Sequence, residues 1–142
     1  MIRVTRRYAF SASHRLDVPG ISEEENRRLF GKCNNPFGHG HNYVLDVSVR
    51  GPVDARSGRA VDPAALDRLV RERILAEFHL KNLNQEIDAF ARLVPTTENI
   101  GLLIHQRLKQ NWPAAFPGEW PKLEKVRIAE TERNIFEVSE SH

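Results

Sequence analysis

The stretch GKCNNPFGHGHNYVLDVSVR, residues 31–50, decides the fold because it joins a turn-rich segment to a regular strand. Residues 31–43 have the density of Gly, Asn and Pro that is typical of a loop built from specific turns. From residue 42 to 50 apolar and polar residues alternate, with Tyr43, Leu45 and Val47 on one side. Because successive side chains of a strand point to opposite faces, this alternation predicts a half-buried β-strand.

The segment before this loop predicts a first strand. Residues 2–14 alternate in the same way, and the apolar side of the pattern ends at His14. Pro19-Gly20 breaks the strand, and residues 21–30 then predict a short helix in which Ser22 is the N-cap.

Two longer helices are predicted after the second strand. Asp62-Pro63 has the form of an N-cap followed by proline at the first helical position, and the apolar stripe runs to Phe78. A second helix begins near Thr96 and is expected to end before Pro113. Both helices are amphipathic, so each is expected to pack one side against a sheet.

Two closing strands, residues 123–132 and 134–139, complete the order ββααββ. This order predicts an α+β fold with a four-stranded antiparallel sheet and two helices on one face, since no strand-helix-strand unit alternates along the chain. The second face of the sheet and its two edge strands need cover, and we therefore expect a homo-oligomer.

Composition predicts a globular protein with one domain over residues 1–142. No apolar run reaches the length of a membrane span and the N-terminal segment lacks a secretory h-region, so we expect no membrane association and a cytoplasmic protein. A net charge of +2 argues against a nucleic-acid partner. The single cysteine, Cys33, excludes an intrachain disulfide.

Three histidines, His14, His39 and His41, form a candidate metal site. In an extended backbone His39 and His41 point the same way, and His14 can join them from the end of a paired strand. Three neutral imidazoles suit Zn²⁺ with an open fourth position, which is the arrangement of a catalytic site. The alternative is a polar loop with His14 at a solvent-facing strand end.

Cys33 lies in the turn-rich segment, six residues before His39. Its neighbour Lys32 is a cation, and a nearby cation lowers the pKa of a thiol and favours the thiolate. A thiolate beside an open zinc site can take a proton from a bound substrate. The alternative is the common one for a lone cysteine, a small buried apolar side chain.

Glu130 is a candidate for ligand binding because it has the parity of the apolar residues Val126 and Ile128. A carboxylate on that face is costly unless it is paired, and a heterocycle with adjacent N–H donors would satisfy both of its oxygens. A salt bridge to an arginine, or a twist that turns Glu130 to solvent, is the alternative. For Thr96, Thr97 and for His79, which follows the first long helix, helix capping is a sufficient explanation.

Five segments together resemble the family of 6-pyruvoyltetrahydropterin synthase and its bacterial relative 6-carboxytetrahydropterin synthase. They are FSASHRL, EEENRRLFGKCNNPFGHGHNY, KNLN, PTTENI and ETERNIFEV. The resemblance extends over residues 3–138, and GKCNNPFGHGHNY is similar to the pyruvoyl branch more than to the carboxy branch.

The resemblance implies the tunnelling fold, in which three subunits close a barrel and two trimers stack into a hexamer. It implies zinc on His14, His39 and His41, with Cys33 as the proton-abstracting thiolate. It also implies that Glu130 anchors a pterin, with Thr96 and Thr97 lining the pterin pocket.

The implied reaction is elimination of triphosphate from 7,8-dihydroneopterin triphosphate, with an internal redox rearrangement of the side chain and no redox cofactor. Production of 6-carboxytetrahydropterin toward a deazapurine nucleoside such as queuosine stays open, as does a repurposed pterin-binding protein.

One position departs from the family pattern. The residues before KNLN are usually an Asp-His pair that assists the cysteine, and here they are His79 and Leu80. Either His79 substitutes from the shifted position or the proton relay is lost. We expect the first, which makes His79 a candidate catalytic residue. For the triphosphate the nearby cations are Arg15 and Lys32.

Overall fold

The structure, a computed structural model that describes residues 1–36 and 38–140, is a five-stranded sheet with helices against one face. The strands are β1 Ile2–His14, β2 His39–Gly51, β3 Lys81–Asn82, β4 Lys122–Ala129 and β5 Ile135–Ser139. Their order across the sheet is β3-β1-β2-β4-β5. The pairs are antiparallel except for β3, which lies parallel to β1.

The α+β class is therefore confirmed, and the prediction of a purely antiparallel four-stranded sheet is wrong by one strand. Strand β3 has two residues, which is too short for an alternating pattern to appear in the sequence. Phe37, which falls in the predicted loop, and the last two residues of the predicted domain, Ser141 and His142, lie outside the described residues.

The helices are α1 Glu23–Phe30, α2 Pro63–Val70, α3 Ala76–Phe78, α4 Leu83–Glu86 and α5 Thr97–Ala115. A π-helical turn, Arg71–Leu75, joins α2 to α3, so the first long helix ends at Phe78 as predicted. The predicted end of α5 before Pro113 is wrong, because the helix continues to Ala115. Pro113 has no amide hydrogen to donate, so the helix lacks one hydrogen bond at this position and ends two residues later.

The core lies between the sheet and the two long helices. The inward side chains of β2 are fully buried, as the alternation predicted, and they meet the apolar faces of α2, α3 and α5. Phe10 of β1 stacks on Tyr43 of β2 with ring centroids 5.0 Å apart. These contacts fix the rotation of both strands and therefore the direction of the side chains at their ends.

The pairing of β1 with β2 brings the histidines to one end of the sheet. The two strands pair along their whole length, from Ile2 opposite Gly51 to His14 opposite His39. Strand β2 begins at His39, so the prediction that residues 39–41 form a loop is wrong.

The closing hairpin is shorter than predicted. Strand β4 ends at Ala129 and β5 starts at Ile135, which leaves Glu130 in the connecting turn. The amide of Glu130 donates to the carbonyl of Asn134 at 3.0 Å, so the turn is held at its base. In the described part of the chain, we find no helix with the length and apolarity that a bilayer span requires.

Candidate metal and substrate site

Four side chains from four segments converge at this end of the sheet. They are His14 at the end of β1, Cys33 in the 3₁₀ turn Gly31–Asn34, His41 in β2 and Glu130 after β4. One ligand atom from each lies within 4.8 Å of every other. His14, His41 and Glu130 are far apart in the sequence, and the β1-β2-β4 order of the sheet brings them together.

The imidazole of His14 is oriented by a backbone carbonyl. Its side chain is buried, and Nδ1 lies 2.7 Å from the carbonyl oxygen of Pro95. Because a carbonyl only accepts, Nδ1 carries the hydrogen and Nε2 keeps its lone pair. Within residues 1–36 and 38–140, Nε2 has no hydrogen-bond partner. A histidine that ligates a metal typically donates the N–H of its other ring nitrogen to a carbonyl or carboxylate, as Nδ1 of His14 does here.

His41 presents a second unpartnered nitrogen to the same space. Its Nε2 lies 3.0 Å from Oε1 of Glu130 but without the geometry of a hydrogen bond, and it is buried. Nε2 of His14 lies 3.5 Å from the same oxygen. Burial lowers the pKa of both histidines, which favours the neutral imidazoles that bind metals. This donor set fits a divalent cation such as Zn²⁺.

His39 stands beside this group but is not a member of it. Its ring meets that of His41 edge to face, with centroids 4.4 Å apart. The rings of His14 and His41 are 4.9 Å apart. The structure thus brings the three predicted histidines into one row of neighbouring rings, with Cys33 and Glu130 closest to His14 and His41.

The thiol of Cys33 is partly buried. Burial raises its pKa, and the negative charge of Glu130 raises it further. This direction is opposite to the acidifying effect expected from Lys32, which is exposed to solvent. The thiolate therefore needs another positive charge at this site to form near neutral pH.

The two threonines at the start of α5 differ in their contacts. Thr96 is the N-cap, and its Oγ1 accepts a hydrogen bond from the amide of Asn99 at 3.2 Å. Thr97 is buried, and its Oγ1 has no hydrogen-bond partner among the residues that the structure describes. Capping explains Thr96 as the sequence suggested, but it leaves the hydroxyl of Thr97 available for a ligand.

His79 lies apart from this group within the single chain. Its side chain is exposed, and its Nδ1 accepts a hydrogen bond from the amide of Ser11 at 3.1 Å. Leu80 follows in the left-handed region, with φ of 59°, and is 77% exposed. A leucine rarely adopts this conformation, so the backbone is strained where the family pattern has its histidine.

Two cavities border the site. One of about 500 Å³ is lined by His41, Leu80 and Glu86 among others. The other, of about 410 Å³, is lined by Arg15, Arg92 and Pro95 among others. Of the two cations proposed for the triphosphate, Arg15 borders a cavity, and Lys32 is exposed and lines neither.

Two contributors to the site left no signal in the amino-acid sequence. The Pro95 carbonyl that orients His14 is a main-chain group, which any residue supplies. The hydroxyl of Tyr43 lies 3.5 Å from Nδ1 of His14, but the alternation showed Tyr43 only as a core residue. Fold and site together define an α+β protein with a candidate divalent-metal centre and a neighbouring thiol, beside cavities of small-molecule size.

Comparison with known proteins identifies the family. Residues 3–141 match the model described as 6-pyruvoyl tetrahydropterin synthase. A 6-pyruvoyl tetrahydrobiopterin synthase of Homo sapiens is 43% identical over 94% of this chain and 88% of its own length. The structure of Caenorhabditis elegans 6-pyruvoyl tetrahydropterin synthase superposes with a TM-score of 0.86 at 38% identity, over 99% of this chain and 96% of that one.

The chain belongs to the 6-pyruvoyl tetrahydropterin synthase family, as its sequence motifs indicated. It is an enzyme, a lyase of pterin metabolism. A 6-carboxy-5,6,7,8-tetrahydropterin synthase of Rickettsia typhi is more distant, at 26% identity over 97% of this chain and the whole of that relative.

Proposed function

We propose that this enzyme is a zinc-dependent lyase that converts 7,8-dihydroneopterin triphosphate to 6-pyruvoyltetrahydropterin with loss of triphosphate. The observation that carries the proposal is the convergence of a thiol, a carboxylate and two unpartnered imidazole nitrogens within 4.8 Å. The relatives named for this activity support it, because the human synthase is 43% identical and the carboxy-branch relative only 26%.

His14, His39 and His41 are the proposed zinc ligands. The row of three neighbouring rings and the orientation of His14 by Pro95 support this assignment. Zn²⁺ held there supplies Lewis-acid chemistry toward substrate oxygens. In this assignment Glu130 and Cys33 are left free to contact the substrate.

Glu130, Thr97 and Thr96 form the proposed pterin pocket. The carboxylate of Glu130 accepts hydrogen bonds from adjacent N–H groups of the pterin ring, which relieves the cost of a mostly buried charge. The unpartnered hydroxyl of Thr97 supports a polar contact with the ring. Thr96 contributes through its backbone position, since its hydroxyl caps α5.

Cys33 is the proposed general base. Its Sγ accepts a proton from the side-chain carbon of the substrate, and general base catalysis of this kind contributes about 10²–10⁴-fold to a rate. His79 is the proposed relay partner. We propose that it meets Cys33 across a subunit boundary rather than within one chain, and its exposure next to the edge strand β3 supports this proposal.

A single domain over residues 1–142, a homohexamer of two trimers and a cytoplasmic location belong to the same proposal. The family match over residues 3–141 supports the domain. The edge strands β3 and β5 support assembly, because an edge without a partner is commonly covered by another chain.

Product identification tests the function. Zinc-loaded protein is incubated with 7,8-dihydroneopterin triphosphate, and mass spectrometry is expected to find 6-pyruvoyltetrahydropterin with one triphosphate per turnover. Cys33→Ala is the matched control, and its turnover is expected to fall by about 10²–10⁴-fold with zinc content unchanged. Normal turnover by Cys33→Ala would contradict the role of the thiol.

Leu80 favours a second candidate, a pterin-binding relative with an altered relay. It places an exposed leucine where the family pattern has a histidine. Pterin binding without turnover would support this candidate, and 6-carboxytetrahydropterin as the product would support the carboxy branch.

A further inference from the structure

The segment that follows His14, residues 15–18, has no regular structure, yet asparagine side chains bind the backbone of Arg15, Leu16 and Val18. Asn84 accepts from the amide of Arg15 at 2.6 Å and donates to its carbonyl at 2.9 Å. Asn26 makes the same pair of bonds with Val18, at 2.7 and 3.2 Å. One primary amide can satisfy both groups of a residue because it carries a donor and an acceptor.

The third asparagine, Asn34, acts on the middle of this segment. Its Nδ2 donates to the carbonyl of Leu16 at 2.7 Å and to Oδ1 of Asp17 at 3.0 Å. The side chain is 3% exposed, so these bonds are made away from solvent. Loss of a buried donor of this kind leaves acceptors unsatisfied and the segment free to move.

Asn34 is also the residue after Cys33, and the two make further bonds to the same segment. The amide of Leu16 donates to the carbonyl of Cys33 at 2.6 Å, and Nε of Arg15 donates to the carbonyl of Asn34 at 3.2 Å. The turn that carries the thiol is therefore fastened to the two residues that directly follow His14. The position of Sγ relative to His14 depends on these links.

We propose that Asn34 is a positioning residue, whose buried side-chain amide holds the thiol of Cys33 at the metal and substrate site. The inference rests on the proposed role of Cys33. Asn34 itself does not contact the substrate; it acts through the turn Gly31–Asn34. The same amide holds the segment from Leu16 to Asp17 beside the group that includes His14.

The test uses zinc-loaded protein with Asn34→Ala and measures three quantities. We expect kcat to fall tenfold or more, KM to stay within twofold and zinc content to stay at one ion per chain. The third quantity is the alkylation rate of Cys33 by iodoacetamide, measured over a series of pH values so that the reactivity of the thiolate is separated from the thiol pKa, which burial raises. It is expected to rise at least fivefold as the thiol becomes accessible, and it reports on one group because the chain has a single cysteine.

Asn26→Ala is the matched control. Asn26 is equally buried, at 3% exposure, and binds the same segment, but it lies away from Cys33 in the chain. Its kcat and alkylation rate are expected to match those of the unmodified protein. Equal effects of both variants would mean general loosening and would overturn the inference.

If Asn34→Ala does not fold, Asp17→Ala provides a second test of the role of Asn34. It removes one of the two acceptors of Asn34 and should change both readouts in the same direction by about two- to threefold. Unchanged readouts in a folded Asn34→Ala or Asp17→Ala protein would overturn the positioning role. Full turnover by Cys33→Ala would instead overturn the proposed function, while the alkylation rate of Asn34→Ala would still report the position of the thiol.

Discussion

Glu130 and His39 are the two residues on which the division between metal binding and substrate binding depends. Glu130 belongs to the group of four converging side chains, whereas His39 lies beside that group and contacts His41. Glu130→Gln is expected to weaken pterin binding about 10–100-fold by removing a charged acceptor, with zinc retained. His39→Ala is expected to lose zinc. Calorimetric titration with a pterin and metal analysis measure the two effects.

The reverse outcome would contradict this division. If Glu130→Gln loses zinc as readily as His39→Ala, then the carboxylate is a metal ligand and the pterin anchor lies elsewhere. The imidazole of His14 is the common reference in this comparison, because His14→Ala is expected to lose zinc in either case.

Leu80 carries a backbone strain that a glycine relieves. A leucine in the left-handed region costs about 1–2 kcal/mol, which a glycine would avoid. Glycine also gives the unfolded chain more conformational freedom, and this offsets about 0.4–1 kcal/mol of the stabilisation. Leu80→Gly is therefore expected to raise the free energy of unfolding by about 0.5 kcal/mol in urea titrations. Leu93→Gly is the control, since Leu93 is also an exposed leucine but has no positive φ, and it should destabilise the protein. Destabilisation by Leu80→Gly of the same size would contradict the strain.

At the scale of the elements, the sheet face opposite the long helices is held by a buried carboxylate. Asp46 of β2 accepts two hydrogen bonds from Arg7 of β1, at 2.8 and 3.1 Å, and one from Arg127 of β4. The hydrogen bonds from Arg7 are the main cause that lowers the pKa of Asp46. Because the folded pKa is below the unfolded one, this stabilisation is present above the ordinary pKa and is lost as the pH falls through the folded value.

Asp46→Asn is expected to lower the free energy of unfolding by about 1–3 kcal/mol near neutral pH. The difference from the unmodified protein should shrink as the pH falls from the ordinary aspartate pKa of about 3.9, where the unfolded chain takes up a proton, to the lower folded pKa, below which the native carboxyl is protonated too. Urea unfolding at a series of pH values measures it. Glu137→Gln, in a half-exposed pair with Lys125, should change stability by less than about 1 kcal/mol. A pH-independent effect of Asp46→Asn would rule out its charge as the cause.

The elements also show which parts of the fold and the site could be predicted from the sequence. Strand β1 and the long helices follow from alternation, an N-cap and an apolar stripe, which are local properties. The family motifs named the site residues, but their convergence depends on the β1-β2-β4 pairing, which is not local. Strand β3, the turn at Glu130 and the Pro95 carbonyl were not predictable, because a two-residue strand and a backbone group leave no pattern in side chains.

At the scale of the whole molecule, the proposed role of His79 requires that one active site contains residues from more than one chain. A hexamer predicts a mass about six times the 16.3 kDa of the chain, which light scattering measures. Cys33→Ala and His79→Ala are each expected to have low turnover. When the two variants are co-expressed, mixed oligomers should exceed the sum of the parents, because some sites then combine an intact thiol with an intact imidazole. Turnover no higher than that sum would contradict the shared site.

The central claim is that three histidines hold one zinc ion while the thiol stays free beside it. Anomalous diffraction at the zinc edge, on crystals of the zinc-loaded protein, tests it most directly. The account predicts one peak per chain, about 2.0–2.1 Å from a nitrogen of each of His14, His39 and His41, with Sγ of Cys33 beyond bonding distance. A peak bonded to Sγ, or one in which Glu130 takes the place of His39, would contradict it.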